Sequence, residues 1–297
     1  MSSNWSLYII IITVVNVLAI FWIIRWTTKK RPGEVTQGDV TGHKWDDDLQ
    51  EYNNPLPRWW LWLFYITIVF TAIYLALYPG LGNIAGKFGW SQSTQYEAEM
   101  AQAREKYGPI FAGYAKQPIE DLAKDAKAMA SGQRLFLNYC ATCHGSDAGG
   151  AIGFPNLTDN NWLYGGEPAQ IKTSILDGRN GVMPPMGAGL PPEKLDAITA
   201  YVLSLSGREA DPAKVEAGKP LYTELTCVGC HGPDGKGNST AGFPNLTDDV
   251  WLYGGSPGQI KETLTKGRFG KMPAHREFLG EEKAHLLTAY VYSLSNK

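Results

Sequence analysis

The pentapeptide Cys-x-x-Cys-His occurs twice in this chain, at residues 140–144 and again at residues 227–231. The two thiols of one copy are spaced to form thioethers to one porphyrin, and the following imidazole can reach its iron. The motif therefore predicts covalent attachment of c-type haem. We expect two haem c groups per chain, with His144 and His231 as the proximal iron ligands. The two copies use all the cysteines of the chain, which are Cys140, Cys143, Cys227 and Cys230.

A redox-active dithiol and a zinc site are the alternative interpretations of a Cys-x-x-Cys pair. A zinc knuckle does not require histidine directly after the second cysteine. No βαβ pattern surrounds either copy, as it would around a thioredoxin-like motif. The repetition of the complete pentapeptide favours haem over both alternatives.

Two long apolar segments lie before the first motif, at residues 8–24 and 59–78, and neither contains a charged residue. A helix needs about 20 apolar residues to cross a bilayer. The first segment lacks preceding basic residues and a following small-residue cleavage site, so it is not typical of a cleaved signal peptide. We therefore predict two transmembrane helices, one within residues 1–30 and one at residues 59–78.

The distribution of basic residues predicts the orientation of these helices. The stretch between them carries basic residues near both membrane ends, whereas residues 1–7 carry none and residues 79–94 carry only Lys87. Because cytoplasmic loops are enriched in lysine and arginine, residues 31–58 should form a cytoplasmic loop in a bacterial inner membrane. The N-terminus and everything after Tyr78 should be periplasmic. The net charge of −2 gives no support for nucleic-acid binding.

An internal repeat organises the remainder of the chain. Residues 153–166, Gly-Phe-Pro-Asn-Leu-Thr-Asp-Asn-Asn-Trp-Leu-Tyr-Gly-Gly, return at residues 242–255 with two changes, and Gly-Arg-x-Gly-x-Met-Pro occurs at 178–184 and 267–273. Each copy ends in apolar residues spaced three and four apart, which is typical of one buried helix face. After a linker with a helical stretch at residues 79–130, we therefore predict two tandem domains, at residues 131–207 and 208–297. The predicted fold class is all-α.

The order of helix, Cys-x-x-Cys-His, Pro-rich loop, Met-Pro and terminal helix resembles that of class I cytochrome c domains. The resemblance implies that Met183 and Met272 are the distal iron ligands. Met186 and His275 each lie three residues further on, and either could supply a distal ligand instead. Repeat symmetry argues against both, which leaves His275 as a surface histidine or as a polar partner near the haem propionates. Which methionine serves which iron stays open, because the two loops could be exchanged between domains.

Two segments that flank the second apolar run extend the resemblance beyond haem binding. They are residues 46–60 and residues 78–91. Together with the dihaem repeat they resemble the dihaem c-type cytochrome subunits, CcoP or FixP, of cbb3-type cytochrome c oxidase. The similarity covers the chain from about residue 43 to its end. The first helix departs from it, because some members of the family lack that helix.

The resemblance implies an electron-transfer subunit with no active site of its own. Electrons would pass from a donor cytochrome c through two haems to a monohaem cytochrome c subunit. They would then reach a catalytic haem-copper subunit that reduces O2 and pumps protons. The runner-up is a free-standing membrane shuttle of the cytochrome c4 kind. A dihaem peroxidase would need an open or displaceable distal position, and the presence of Met-Pro in both copies counts against it.

Overall fold

The computed structural model describes residues 1–54 and 56–295, which form two compact units, Met1–Glu105 and Lys106–Lys297. The described part of the chain is mostly helical, as predicted, and it also contains four short strands that the sequence patterns did not reveal. The helices are α1 (Ser3–Thr27), α2 (Arg58–Leu77), α3 (Gln92–Ala115), α4 (Ile119–Leu122), α5 (Ala126–Tyr139), α6 (Ala141–His144), α7 (Pro168–Asp177), α8 (Pro192–Leu205), α9 (Pro212–Glu224), α10 (Val228–His231), α11 (Pro257–Lys266) and α12 (Arg276–Ser295). The strands are β1 (Val40–Trp45), β2 (Leu49–Tyr52), β3 (Arg179–Met183) and β4 (Arg268–Met272).

In the first unit, the helices α1 and α2 run antiparallel, and both are long and apolar enough to cross a membrane. The start of α1 lies beside the segment that follows α2, where the backbone N–H of Asn83 donates to Oγ of Ser6 at 2.8 Å. Further along, Phe21 of α1 packs near Tyr65 of α2, with ring centroids 6.1 Å apart. The N-terminus and the segment after α2 therefore lie at the same end of the helix pair. Between the helices, β1 and β2 form an antiparallel hairpin with Trp45 opposite Leu49.

In the second unit, α7 and α11 occupy equivalent places in the two repeats and have the same end signals. Each begins with proline, which fits the first helical turn because its missing N–H has no partner there in any case. Each ends at a glycine with φ near 70°, namely Gly178 and Gly267. Residues other than glycine rarely adopt this left-handed conformation, so the glycine ends the helix and turns the chain into a strand.

The strands β3 and β4, one from each repeat, pair with each other in an antiparallel ribbon. Gly181 lies opposite Gly270 at the centre, Arg179 lies opposite Met272, and Met183 lies opposite Arg268. The chain therefore crosses from one side of the unit to the other along each strand. The helix that follows each strand packs beyond this crossing.

Two hydrophobic cores result from the crossing, and each contains residues of both repeats. The first core lies between α5, α7 and α12, and the second lies between α8, α9 and α11. The buried residues of the first core are Phe136, Ala148, Ile171, Ile175, Leu176, Leu279, Ala284, Leu287 and Val291. Those of the second core are Ala197, Ile198, Val202, Leu203, Leu221, Tyr222, Ile260 and Leu264.

The predicted domain boundaries separate the two sequence repeats and do not separate the two hydrophobic cores. The ranges 131–207 and 208–297 describe the two sequence repeats, whereas the physical cores exchange their C-terminal helices. The helix α8 of the first repeat completes the second core, and α12 of the second repeat completes the first core. The apolar stripes predicted from spacing do face these cores, but each stripe faces the core of the other repeat.

Candidate haem sites

Each Cys-x-x-Cys-His motif forms a short helical turn at the edge of a core. Cys140 and Cys227 are half-buried, whereas Cys143 and Cys230 are exposed, and no disulfide joins any of these four residues. Burial, with a smaller contribution from Cys143, raises the pKa of Cys140 to about 11. Burial also raises the pKa of Cys227. A redox-active dithiol depends on a lowered thiol pKa, so these environments do not favour the redox interpretation.

The proximal histidines are held in the same way in both sites. Nδ1–H of His144 donates to the backbone carbonyl of Pro155 at 2.9 Å, and Nδ1–H of His231 donates to that of Pro244 at 3.0 Å. Burial lowers the pKa of both imidazoles, which favours their neutral form. A neutral ring that donates through Nδ1 has its Nε2 lone pair available for a metal.

The carbonyls of Pro155 and Pro244 are functional groups that our sequence reasoning missed. Both belong to the repeated Gly-Phe-Pro-Asn segment. The recurrence of this segment after each motif was the available signal, but a backbone acceptor leaves no side-chain pattern of its own.

The two methionines lie in different cores from the motifs that precede them. Met272 packs against the first core together with Cys140, and Met183 packs against the second core together with Cys227. The structure thus brings the motif of each repeat into the same core as the Met-Pro loop of the other repeat. This arrangement corresponds to the exchanged alternative that the sequence left open.

The Gly-Arg pair before each strand explains how the exchanged methionine is accommodated. A Cβ atom on Gly178 would overlap the backbone carbonyl of Met272. The neighbouring Arg179 donates from Nε to Oγ of Ser174 at 2.9 Å, and its guanidinium lies 4.7 Å from the ring centroid of Tyr164. These contacts anchor β3 to the first core beside its partner strand.

The second repeat has matching contacts. Arg268 donates from Nε to Oγ1 of Thr263 at 2.9 Å and lies 4.8 Å from the ring centroid of Tyr253. A Cβ atom on Gly267 would lie 2.5 Å from the backbone oxygen of Met183. The repeated Gly-Arg sequence therefore serves the approach of the other repeat's methionine in both sites.

The two alternative distal residues, His275 and Met186, differ in their exposure to solvent. His275 is only 8 % exposed, so its interpretation as a surface histidine is wrong. Its backbone N–H donates to the carbonyl of Ile175 at 3.1 Å, which holds this residue beside α7, and its Nδ1–H donates to the carbonyl of Pro273 at 2.7 Å. The equivalent Met186 is half-buried.

The residues of both sites fit a covalently bound haem. Each site combines a thiol pair, a neutral imidazole and a thioether, which are the groups that hold c-type haem. In addition, Nε1 of Trp251 is buried beside the second core without a hydrogen-bond partner in residues 1–54 and 56–295. A buried indole N–H normally donates to a partner, so this one is suited to a polar group of a bound cofactor.

Comparisons with known proteins identify the family of this chain. Residues 37–85 match the family described as the N-terminal domain of cytochrome oxidase-cbb3, FixP. Residues 127–202 and 213–291 both match the family described as cytochrome c oxidase, cbb3-type, subunit III. The two matched ranges correspond to the two sequence repeats.

The sequence similarity to known proteins extends over most of the chain. The Cbb3-type cytochrome c oxidase subunit CcoP of Rubrivivax gelatinosus is 48% identical over 295 residues, which are 99% of this chain and 96% of that protein. The Cbb3-type cytochrome c oxidase subunit FixP of Azorhizobium caulinodans is 39% identical, over 86% of this chain and 92% of that protein. The corresponding CcoP of Cereibacter sphaeroides is 36% identical, over 90% and 97%. The chain therefore belongs to the family of cbb3-type cytochrome c oxidase subunit III, as a membrane-associated electron-transfer subunit with cytochrome c domains that carry covalent haem.

Proposed function

We propose that this chain takes electrons from a donor cytochrome c and delivers them, through two covalently bound haem c groups, to a monohaem cytochrome c subunit. The catalytic haem-copper subunit then receives them for the reduction of O2. The observation that carries this proposal is the composition of the two sites, because each brings an imidazole and a thioether into the same core as one Cys-x-x-Cys motif.

The proposed ligand sets follow the exchanged packing. His144 and Met272 serve the haem attached at Cys140 and Cys143, and His231 and Met183 serve the haem attached at Cys227 and Cys230. Bound haem supplies one-electron exchange at its iron. An imidazole and a thioether bound to each iron would leave no open position for O2 or peroxide, which disfavours the peroxidase alternative.

The proposed topology places both haem sites in the periplasm and residues 31–58 in the cytoplasm of a bacterium. Two observations support it. Basic residues concentrate between the two apolar helices. The contact of Ser6 with Asn83 keeps the N-terminus and the segment after α2 at one end of the helix pair. The exposed apolar surfaces of α1 and α2 would then contact lipid or a neighbouring membrane subunit.

Purification of the tagged full chain in a mild detergent tests this proposal against the shuttle alternative. We expect high-spin haem b and copper to co-purify with the chain, and we expect the preparation to oxidise reduced cytochrome c with O2. A preparation from cells that carry the untagged chain is the control. A chain that purifies with its own haem c alone would favour the free-standing shuttle.

A further inference from the structure

Tyr164 and Tyr253 recur in the Trp-Leu-Tyr-Gly-Gly segment of the two repeats, although neither residue is needed to attach or ligate haem. Tyr164 is held on the first core by two contacts. The guanidinium of Arg179 lies over its ring, and its hydroxyl donates to the backbone carbonyl of Asn180 at 3.3 Å. Both partners belong to β3, the strand whose neighbour β4 carries Met272. Tyr164 is therefore fixed to the ribbon on the distal side of the first site.

The same ring also reaches the other repeat. Gly242 lies directly against it, and a Cβ atom at Gly242 would overlap the Tyr164 ring. Gly242 stands two residues before Pro244, whose carbonyl accepts the hydrogen bond from Nδ1 of His231. Tyr164 thus contacts the end of β3 that lies opposite Met272, and it also contacts the loop that orients the predicted proximal histidine of the second site.

Tyr253 makes the corresponding contact in the opposite direction. A Cβ atom on Gly153 would lie 3.3 Å from Cε1 of Tyr253. The backbone N–H of Gly153 donates at 2.8 Å to the carbonyl of Leu252, the residue before this tyrosine. Gly153 again stands two residues before the proline, Pro155, whose carbonyl accepts from His144. The two tyrosines therefore form a reciprocal pair of contacts between the sites.

We infer that Tyr164 and Tyr253 are positioning residues that couple the two haem sites. Each tyrosine braces the shared ribbon at the end that bears the methionine of its own core, and it also braces the proximal-histidine loop of the other core. This inference rests on the proposed function, because it assumes that both sites hold haem. Groups that orient a ligating histidine tune the metal that it binds, and access of solvent changes the potential as well. A change at one tyrosine should consequently alter the environments of both haems.

The test uses the full chain with the substitution Tyr164→Leu and a spectroscopically monitored redox titration. We expect both haem components to shift to lower midpoint potential, because loss of the ring admits water near the ribbon and near the loop of Pro244. The matched control is Tyr139→Leu, since Tyr139 is a half-exposed tyrosine whose ring packs on Phe278 at 5.4 Å. This control substitution should change the midpoint potential of at most one haem component.

The variant Tyr164→Phe distinguishes the effect of the ring from the effect of the hydroxyl group. This variant retains the packing on Gly242 and Arg179. We therefore expect the haem of the second site to keep the midpoint potential that it has in the unmodified chain. If Tyr164→Leu loses a haem, the mirror variant Tyr253→Leu provides the same measurement. A shift of only one component in these leucine variants, or an equal shift of both components in Tyr139→Leu, would overturn the coupling. A parent chain with a single haem component would instead overturn the proposed function itself.

Discussion

Met272 lies directly opposite Arg179 across the β3–β4 ribbon, and it packs into the core that also contains Cys140. The methionine of the second repeat thus joins the motif of the first repeat. The reciprocal relationship joins Met183 to the core that contains Cys227. An exchange of this kind makes the two haem sites mechanically dependent on each other, because neither core is complete within one repeat.

The exchanged ligation can be tested in a chain that retains one haem. With Cys227→Ser and Cys230→Ser, only the haem at Cys140 and Cys143 should remain covalently attached. In this background, Met272→His should abolish the weak far-red charge-transfer band of Met-ligated ferric haem, because imidazole replaces the thioether. Met183→His is the control and should leave the band intact. The opposite pattern would show ligation within each repeat.

The number of covalent haems can be tested by removing the two thiols of one motif at a time. We expect the unmodified chain to keep two haems through extraction with acidified acetone, because thioether bonds resist this treatment. Substitution of both Cys140 and Cys143 by serine should lower the stably attached haem to about one per chain, and substitution of both Cys227 and Cys230 should do the same. Haem per polypeptide is measured from the pyridine haemochrome spectrum. Complete extraction of haem from the unmodified chain would contradict covalent attachment.

Truncation of Leu287 should weaken the first core even though this residue belongs to the second repeat. Leu287 is fully buried in that core, so Leu287→Ala should lower the free energy of unfolding by about 2–5 kcal/mol. Limited proteolysis should then cleave residues 126–177 before residues 192–266. Glu282→Ala on the exposed side of the same helix is the control. Early cleavage within 192–266 alone would indicate that the repeats do not exchange helices.

Asp196 should make the stability of the second core depend on pH in the acidic range. Its carboxylate joins three helices, through Lys261 on α11 and through Lys214 on α9 at 3.2 Å. The hydrogen bond from Lys261, followed by that from Lys214, lowers the pKa of Asp196 below its ordinary value of 3.8. The stabilisation is therefore present above pH 3.8 and is lost as the pH falls through the lowered pKa.

The substitution Asp196→Asn should accordingly produce a small decrease in Tm at neutral pH, because the ion pairs are exposed to solvent. The difference from the unmodified chain should disappear well below pH 3.8. Thermal unfolding followed by circular dichroism at several pH values provides the measurement. Asp234→Asn, which removes one exposed pair with Lys236, is the matched control. A difference in Tm that persists in strong acid would rule out this electrostatic explanation.

The topology can be tested by adding protease to intact spheroplasts. We expect digestion of the region after Tyr78 and protection of residues 25–58, because the basic loop should remain in the cytoplasm. Antibodies against each region follow the digestion, and lysed spheroplasts serve as the control for protease access. Digestion of the loop with protection of the haem sites would reverse the assigned orientation.

Much of the fold and of the chemistry could be predicted from local sequence. The spacing of cysteine and histidine predicts haem attachment because the chemistry acts over five consecutive residues. The helices α1 and α2 follow from the length and apolarity of two segments. Periodicity also identifies the buried faces of α8 and α12, with Ile198 and Leu287 among the residues that reach the cores.

The structure alone showed which surfaces those faces meet. The two repeats share the sequence Gly-Arg-x-Gly-x-Met-Pro around Met183 and Met272, so local sequence does not distinguish packing within a repeat from packing between repeats. Whether the helices pack within a repeat or between repeats depends on the direction of the chain after Gly178 and Gly267, and on the pairing of β3 with β4. The burial of His275 and the role of the Pro155 carbonyl depend on the same long-range approach. Sequence spacing by itself thus determined which residue types are the candidate ligands, whereas the crossing of two strands from distant parts of the chain decided which of these residues share a core.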